Sequence, residues 1–291
     1  MDSSPDWNTS WGSINSFSPL PDSNMFFVFL DRFFDRNEKF TKSAIEIGCF
    51  PGRFIDYFGS KGFVISGIDT YPGVVQLNDW MRGRHGVIGE FTCSSLNQFV
   101  TQQPNQFDAV VSFGFIEHFV NFPEIIEQHA RLCIIGGFIV IGAPNFASPF
   151  QRALHRLLDP GNLEKHVLSS MYPIQWEIVA RYLGLEVIYS GNLGRFGFWY
   201  EDEPTTPKIA QLRKSLPLLA GYLEPLGNKF NKLESSYGII VLRKADEFPY
   251  TGNSSKGFFD GVIHSSQALS NRDEELSDKH FEFLSYLCND G

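Results

Sequence analysis

Basic residues are in short supply. Lys and Arg total 24 against 33 Asp and Glu, a formal net charge of −9 at pH 7, and the pI is near 5.3. The longest basic cluster is a pair, Arg243-Lys244. Nucleic-acid enzymes neutralise phosphates with a basic face, so RNA and DNA are not the expected partners and a small molecule is. The 4 cysteines include no Cys-x-x-Cys pair, which supplies neither a zinc site nor a disulfide framework. A reducing cytoplasm is the expected compartment. The longest apolar run, Met25 to Leu30, falls far short of the roughly 20 residues that span a bilayer. The N-terminus carries no basic region followed by an apolar stretch, so neither a secretory signal nor a membrane partner is expected. Internal repeats and low-complexity tracts are absent too. At 291 residues, one large α/β domain with decorations is the natural size class.

The most informative stretch is Ala44-Ile45-Glu46-Ile47-Gly48-Cys49-Phe50-Pro51-Gly52-Arg53-Phe54. It reads as a buried strand, an acid, and a glycine-bounded turn opening into a helix from about Arg53 to Gly59. Gly48 and Gly52 allow positive φ and close approach of a ligand to the backbone. The helix start offers unpaired N–H groups and a positive dipole end. Glu46 discriminates between ligands: a pyrophosphate would be repelled there, whereas a free ammonium would be attracted. A second strand, Phe63 to Ile68, ends at Asp69, about 20 residues after Gly48, the offset at which an acid meets ribose hydroxyls in a Rossmann-type unit. A surface turn before Thr70-Tyr71-Pro72-Gly73 is the plainer alternative. A third short strand is expected at Val87-Ile88-Gly89-Glu90-Phe91.

This segment resembles the first motif of the class I S-adenosylmethionine-dependent methyltransferases, acid-x-Gly-x-Gly-x-Gly, with Phe50 where the middle glycine stands. Gln106-Phe107-Asp108 leading into Ala109-Val110-Val111-Ser112-Phe113 and closing on Glu117-His118 resembles the family's fourth-strand motif. A helix from Pro123 to about Cys133, the turn Ile134-Ile135-Gly136-Gly137, the strand Phe138 to Ile141 and Pro144-Asn145 continue in the same register. A helix from Tyr172 to Leu183, with Ile174, Ile178, Val179 and Leu183 at helical spacing, precedes a sixth strand at Leu185–Tyr189. Tyr237 to Arg243 would be a seventh. The resemblance implies a three-layer α/β/α Rossmann-like fold: a seven-stranded sheet with helices on both faces and strand 7 antiparallel between strands five and six.

The resemblance also implies the sites. Cofactor contacts fall on Glu46, Gly48, Cys49, Phe50, Gly52, Asp69, Thr70, Glu90, Phe91 and Phe113, with Glu90 on the adenine amino group and Phe91 stacked on the ring. A solvated Glu90 beside a core Phe91 remains the alternative. For a hydroxyl acceptor, a sugar, glycan precursor or secondary metabolite, a base must remove a proton, and histidine is the usual choice. His118 comes first and His166 second, with Glu117 beside them. Some family members, quinone-pathway and small-RNA 2′-O-methyltransferases among them, hold a divalent metal through Glu-x-x-Glu-His and, in the RNA enzymes, a later His; here Gly114 occupies the first position, which weakens such a site and leaves a metal-assisted enzyme of that kind as an alternative, not the leading reading. A non-catalytic S-adenosylmethionine-binding scaffold is the rival reading. A nicotinamide-dependent oxidoreductase conflicts with Glu46 and the missing third glycine.

The expected organisation is a tail and cap helix over 1–40, a methyltransferase domain over 41–244 with an insertion at about 191–236, and a C-terminal tail over 245–291. The N-terminal 20 residues read as irregular. Phe26, Phe27, Leu30, Phe33 and Phe34 make one helix face, core-facing or part of a lid. The insertion, with a helix from Ile209 to Leu219 interrupted by Pro217, is a candidate acceptor lid or homodimer contact. In the tail, Phe281 to Leu287 is a candidate for a final docked helix or for contact with another subunit.

Overall fold

The computed structural model describes residues 12, 16–34, 42–200, 203–223, 235–246 and 255–289. Most of the N-terminal stretch read as irregular lies outside these residues. Its sheet grows from short β-branched segments apolar on both faces, which bury well only in the middle of a layered fold. These are β1 (Ser43–Ile47), β2 (Val64–Asp69), β3 (Phe91–Cys93), β4 (Phe107–Phe113), β5 (Cys133–Pro144), β6 (Glu186–Phe196) and β7 (Ser235–Arg243). Their spatial order is β3-β2-β1-β4-β5-β7-β6. The pairs β1–β2, β1–β4, β2–β3 and β4–β5 are parallel, while β7 runs antiparallel to both β5 and β6. The seven-stranded Rossmann-like sheet with an antiparallel seventh strand is therefore present. The order reverses between β1 and β4, and ligands of open α/β sheets bind at the carboxyl ends of strands beside such a switch point.

Side chains alternate across the strands and divide the core in two. Ile45, Ile47, Val110, Ile139 and Ile141 face one layer, with Phe122, Ile126, Trp176 and Val179 packed on them. Those partners come from α5 (Phe122–Leu132) and α8 (Pro173–Tyr182). Ala44, Ile65, Val111, Val140 and Ile239 face the other, under Phe26, Leu30, Ile55, Phe58, Leu77 and Met81. That layer is built from α1 (Met25–Leu30), α2 (Ile55–Ser60) and α3 (Leu77–His85). Phe26, Phe27 and Leu30 of α1 face the core, but the helix ends at Leu30, so Phe34 is buried from the segment beyond it and Phe33 is half-buried.

Several boundaries differ from expectation. In α8 the helical phase is set by Trp176, Val179, Ala180 and Leu183, all buried, while Ile174 and Ile178 are 55% and 40% exposed. Trp176 wins because its indole fills the core and its Nε1 donates to Ser170 O at 2.7 Å. Strand β6 continues to Phe196, so the first residues of the supposed insertion are sheet. The following helix, α9 (Pro207–Leu223), runs through Pro217 without a break.

The largest difference is in the tail. Residues Lys256–Asn289 form one helix, α10, docked on α6 (Pro149–Leu158). Phe259 and Val262 supply apolar burial, worth roughly 1.5–3 kcal/mol for each large side chain. The rest of the buried face is polar: Ser266, Ser270, Asp273 and Ser277. Arg152, 1% exposed, donates to Ser270 O at 3.0 Å, Ser270 Oγ at 3.2 Å and Glu274 Oε2 at 2.5 Å. Tyr172 donates to Asp273 Oδ2 at 2.9 Å, and Ser266 Oγ donates to Ser169 O. A buried charge this well partnered ties α10 to the domain.

Candidate active site

The turn after β1 is built on two constrained glycines. Gly48 has φ +69°, and a Cβ there would lie 2.7 Å from Phe115 Cδ2. Gly52 has φ +88°, with Met81 Cε 2.6 Å from its would-be Cβ. Gly48 N and Cys49 N both donate to Ile68 O, at 2.9 and 3.1 Å, tying the turn to β2. Glu46 is 2% exposed, and its Oε2 accepts from Ile55 N at 2.9 Å. The first N–H of α2 is thus satisfied by Glu46 rather than open to a ligand, and α2 begins at Ile55, two residues later than its sequence pattern suggests.

Burial raises the Glu46 carboxyl well above the usual Glu range; the Ile55 N–H lowers it in part and Asp69 raises it further. Asp69 is raised by burial against the pull of the Tyr71, Phe50 and Thr70 amides. Its Oδ1 accepts from Tyr71 N at 2.8 Å and its Oδ2 from Phe50 N at 3.1 Å. An ionised carboxylate has about four acceptor positions, so these two bonds leave capacity for hydroxyls. Cys49, 2% exposed, is held as a neutral thiol by burial and by Asp69 and Glu46. The Phe50 ring packs 4.8 Å from Tyr71 and 6.3 Å from Trp80, so the bulk at the middle glycine position joins an aromatic cluster.

The third-strand residues fall elsewhere than expected. Strand β3 starts at Phe91, and its register sets Gly67 opposite Phe91 and Asp69 opposite Cys93. Cys93, not Glu90, therefore reaches the sheet edge beside Asp69. Glu90 is exposed three residues earlier, about 10 Å back along the strand. Phe91 is 1% exposed in the core, where its ring closes on Gly67 and Cys49, so it cannot stack on a ligand.

The second half of the site follows β4. Gly114 takes φ +76°, and a short helical turn, Ile116–His118, carries Glu117 and His118. The loop after α7 (Pro160–Glu164) brings His166 alongside, and Val167 N donates to Glu117 O at 2.7 Å. The His118 and His166 rings stack at 5.0 Å and 27°. His118 Nδ1 lies 3.1 Å from Lys165 O, and His166 Nδ1 lies 2.7 Å from Asn162 O. Carbonyls only accept, so each Nδ1 carries the proton. Burial pushes His118 down to about 4, opposed by its backbone bonds at Lys165 and Gly114. Burial, helped by the neighbouring His118, pushes His166 to about 3. Both imidazoles are neutral near pH 7. The nearest ligand atoms of Glu117, His118 and His166 all lie within 4.8 Å of one another.

One cavity of about 220 Å³ joins the halves. Glu46, Gly48, Cys49 and Phe50 line one wall; Gly114, Glu117, His118 and His166 line the other. Phe113 and Tyr237 lie between them, backed by Phe26 of α1 at 5.4 and 4.7 Å. Gly52, Asp69, Thr70, Glu90 and Phe91 lie outside this lining. Arg53, Phe54, Lys165 and Trp199 belong to it and were not among the residues singled out from sequence. Only Trp199 had a signal, in the glycine- and aromatic-rich stretch at 191–200.

A family profile described as a methyltransferase domain matches residues 25–189, more than half of the chain. The chain belongs to that family. The match runs from α1 to the first residues of β6 and contains the turn after β1 and the Glu117-His118 turn. A ubiquinone biosynthesis O-methyltransferase from Chromobacterium violaceum is 24% identical over 136 residues, 46% of this chain and 57% of that protein. A protein of the same description from Dechloromonas aromatica is 26% identical over 138 residues, with the same coverage. The chain thus spans little more than half the length of these curated relatives. A solved structure of a candidate methyltransferase from Bacillus halodurans C-125 shares the fold at a TM-score of 0.50 and 11% identity, covering 76% of this chain and 96% of that one.

The chain thus carries a methyltransferase domain, on a fold it shares with that solved structure. The residues present fit S-adenosylmethionine, the donor that the resemblance of the glycine turn implies. The buried Glu46 carboxyl faces the cavity where an ammonium would be held, the left-handed Gly48 leaves the backbone bare, and Asp69 retains acceptor capacity. Among the described residues no helix is long and apolar enough to cross a membrane.

Proposed function

We propose that the protein transfers a methyl group from S-adenosylmethionine to a hydroxyl of a small molecule, a sugar, glycan precursor or secondary metabolite. The observation that carries this is the single cavity in which the glycine turn with Glu46 meets Glu117, His118 and His166. The O-methyltransferase names of the relatives support the same reaction class. The donor's sulfonium supplies an activated methyl carbon, and the protein's task is to hold the reactants in line. Glu46 pairs with the donor's ammonium, and Asp69 at the edge of β2 accepts from its ribose hydroxyls. Phe54, Phe113, Trp199 and Tyr237 give the acceptor a largely aromatic berth, with Trp199 contributed by the segment after β6. His118, lining the cavity beside Glu117 and His166, takes the acceptor's proton. The free thiols of Cys49, Cys93 and Cys133 fit a reducing, cytoplasmic setting.

A second reading rests on the convergence of Glu117, His118 and His166. An imidazole titrating near 4 is a weak base at neutral pH, yet a neutral imidazole whose Nδ1–H is held by a carbonyl is poised as a metal ligand. One carboxylate and two imidazoles suit a first-row transition ion better than Mg²⁺. A divalent ion held there supplies Lewis acidity toward the acceptor hydroxyl. Gly114 stands where a second carboxylate would be, and a Cβ there would meet Glu117 Oε1 at 3.5 Å and the Tyr237 hydroxyl at 3.7 Å.

The test is methyl transfer to a panel of hydroxylated acceptors, before and after chelation, with Mg²⁺, Mn²⁺ or Zn²⁺ restored, and with metal content measured on the purified protein. Transfer surviving chelation and lost in H118A supports the base. Transfer lost on chelation and restored by Mn²⁺ or Zn²⁺ supports the metal. Cofactor binding with no transfer to any acceptor favours the scaffold reading.

A further inference from the structure

Three buried polar residues behind His166 have no part in the reaction described above. Arg213, on α9, is 4% exposed. Its Nε donates to Leu158 O at 2.9 Å and its Nη2 to Asp159 Oδ1 at 3.2 Å, while its guanidinium lies 4.5 Å over the Tyr200 ring. Asp159 is fully buried, and its other oxygen, Oδ2, accepts from Asn162 Nδ2 at 3.0 Å. Asn162, also fully buried, offers its backbone O to His166 Nδ1 at 2.7 Å. Nearby His155 reaches Asp159 through its backbone, Asp159 N donating to His155 O at 2.7 Å, while its ring Nδ1 stands 3.8 Å from Asp159 Oδ2, beyond hydrogen-bond range.

The geometry points to an Arg213–Asp159–Asn162 relay that positions His166, making the helix inserted between β6 and β7 a fixed buttress of the acceptor wall rather than a lid. This rests on His166 belonging to the site proposed above. The carbonyl that orients His166 sits in α7, which has 5 residues, and a helix that short does not hold itself together in water. Its direction depends on tertiary anchors, and the Asn162 side chain is one. Asp159 can anchor Asn162 because Arg213 neutralises its buried charge and fixes its rotamer. A lid would meet the domain through exposed, exchangeable contacts. Arg213 instead spans more than 50 positions of chain to reach a carboxylate with no exposure. Partners that fix the tautomer and direction of a functional histidine are worth 10–100-fold in affinity or activity.

The test uses the full chain, labelled with ¹⁵N-histidine and freed of metal by chelation, with H166Q assigning the His166 signal. In the unaltered protein the two-bond ¹H–¹⁵N pattern of His166 should be that of the Nδ1–H tautomer. R213M should shift it toward a tautomer mixture, with kcat about 10–100-fold lower and the affinity for S-adenosylhomocysteine within about twofold, because the glycine turn lies on the opposite wall. R213K, which keeps the charge and loses the planar fork, should fall between. N162A should release His166 while leaving Arg213 on Asp159, and it carries the test with R213K if R213M does not fold. An unchanged His166 pattern in any folded variant overturns the relay, whatever activity does. Absence of methyl transfer by the unaltered protein would overturn the reaction assignment instead, and the tautomer pattern would still decide the relay.

Discussion

Replacing Glu46 with Gln separates a role in holding the cofactor from a role in the fold. Gln is nearly isosteric, and its amide oxygen can keep the bond from Ile55 N that Glu46 Oε2 accepts at 2.9 Å. What is lost is the negative charge. A hydrogen bond to a charged group contributes about 1.5–3 kcal/mol, so E46Q should bind S-adenosylhomocysteine about 10- to 100-fold more weakly. Isothermal titration reads this, and an analogue lacking the α-amino group should bind both proteins alike. The effect on stability runs the other way. Burial raises the folded-state pKa of Glu46, so its contribution to stability is present in acid and lost as pH rises through that raised value. Without cofactor, E46Q should therefore be at least as stable as the unaltered protein at pH 7–8, with a flatter pH dependence above the ordinary Glu range. Asp69 is raised as well and its charge helps raise Glu46, so E46Q also eases the ionisation of Asp69 and the two pH profiles are compared as wholes. An ammonium favours ionised Glu46, so cofactor affinity should rise with pH in the unaltered protein and stay flat in E46Q. Equal affinity of the two proteins for S-adenosylhomocysteine would refute the ammonium contact.

Three further perturbations test the frame. G48A forces an L-residue to φ +69° with its Cβ 2.7 Å from Phe115; urea unfolding should show a loss of at least about 1–2 kcal/mol, with weaker S-adenosylhomocysteine binding. His129, fully buried, bonds Ile125 O at 2.7 Å and Ser112 Oγ at 3.0 Å, and burial lowers it to about 4. Its stabilising contribution is present above pH 6.5 and lost as pH falls through 4, so H129Q should remove up to about 3 kcal/mol of the acid-dependent change in the urea midpoint. R152A should cost about 3 kcal/mol, because it empties a buried, multiply bonded site while leaving Glu274, 45% exposed, to be hydrated; E274A should cost at least about 3 kcal/mol, because it leaves the Arg152 guanidinium, 1% exposed, buried without its carboxylate. Thermal unfolding ranks the two.

The central sheet was legible because its strands carry their own signal. Ile45 and Ile47 around Glu46, and Ala109 to Phe113 after Phe107-Asp108, are apolar on both faces and bounded by glycine. The turn at Gly48, the acid at Asp69 and the Glu117-His118 turn sit where local spacing placed them. The misreadings have local causes too. Glu90 is solvated and Phe91 sits in the core, the plainer of their two readings, because the pairing of β3 with β2, not the apolar pattern at Val87 and Ile88, sets where the strand lies. Helix α8 was read in the wrong phase because two exposed isoleucines imitate a core stripe that Trp176 dictates. Helix α10 escaped notice because its buried face is serine and aspartate, whose burial makes sense only with Arg152 and Tyr172 in place. His166 was placed by loop position alone; its contact with His118, and the entry of Arg53, Lys165 and Trp199 into the cavity, are products of tertiary topology.

The most direct test of the account is isothermal titration of the purified protein, shown free of co-purified ligand, with S-adenosylmethionine and with S-adenosylhomocysteine. The account predicts binding of both in the micromolar range, weakened by E46Q and G48A. A folded protein that binds neither would contradict it, and would mean that Phe50 and its aromatic neighbours close the turn to the cofactor.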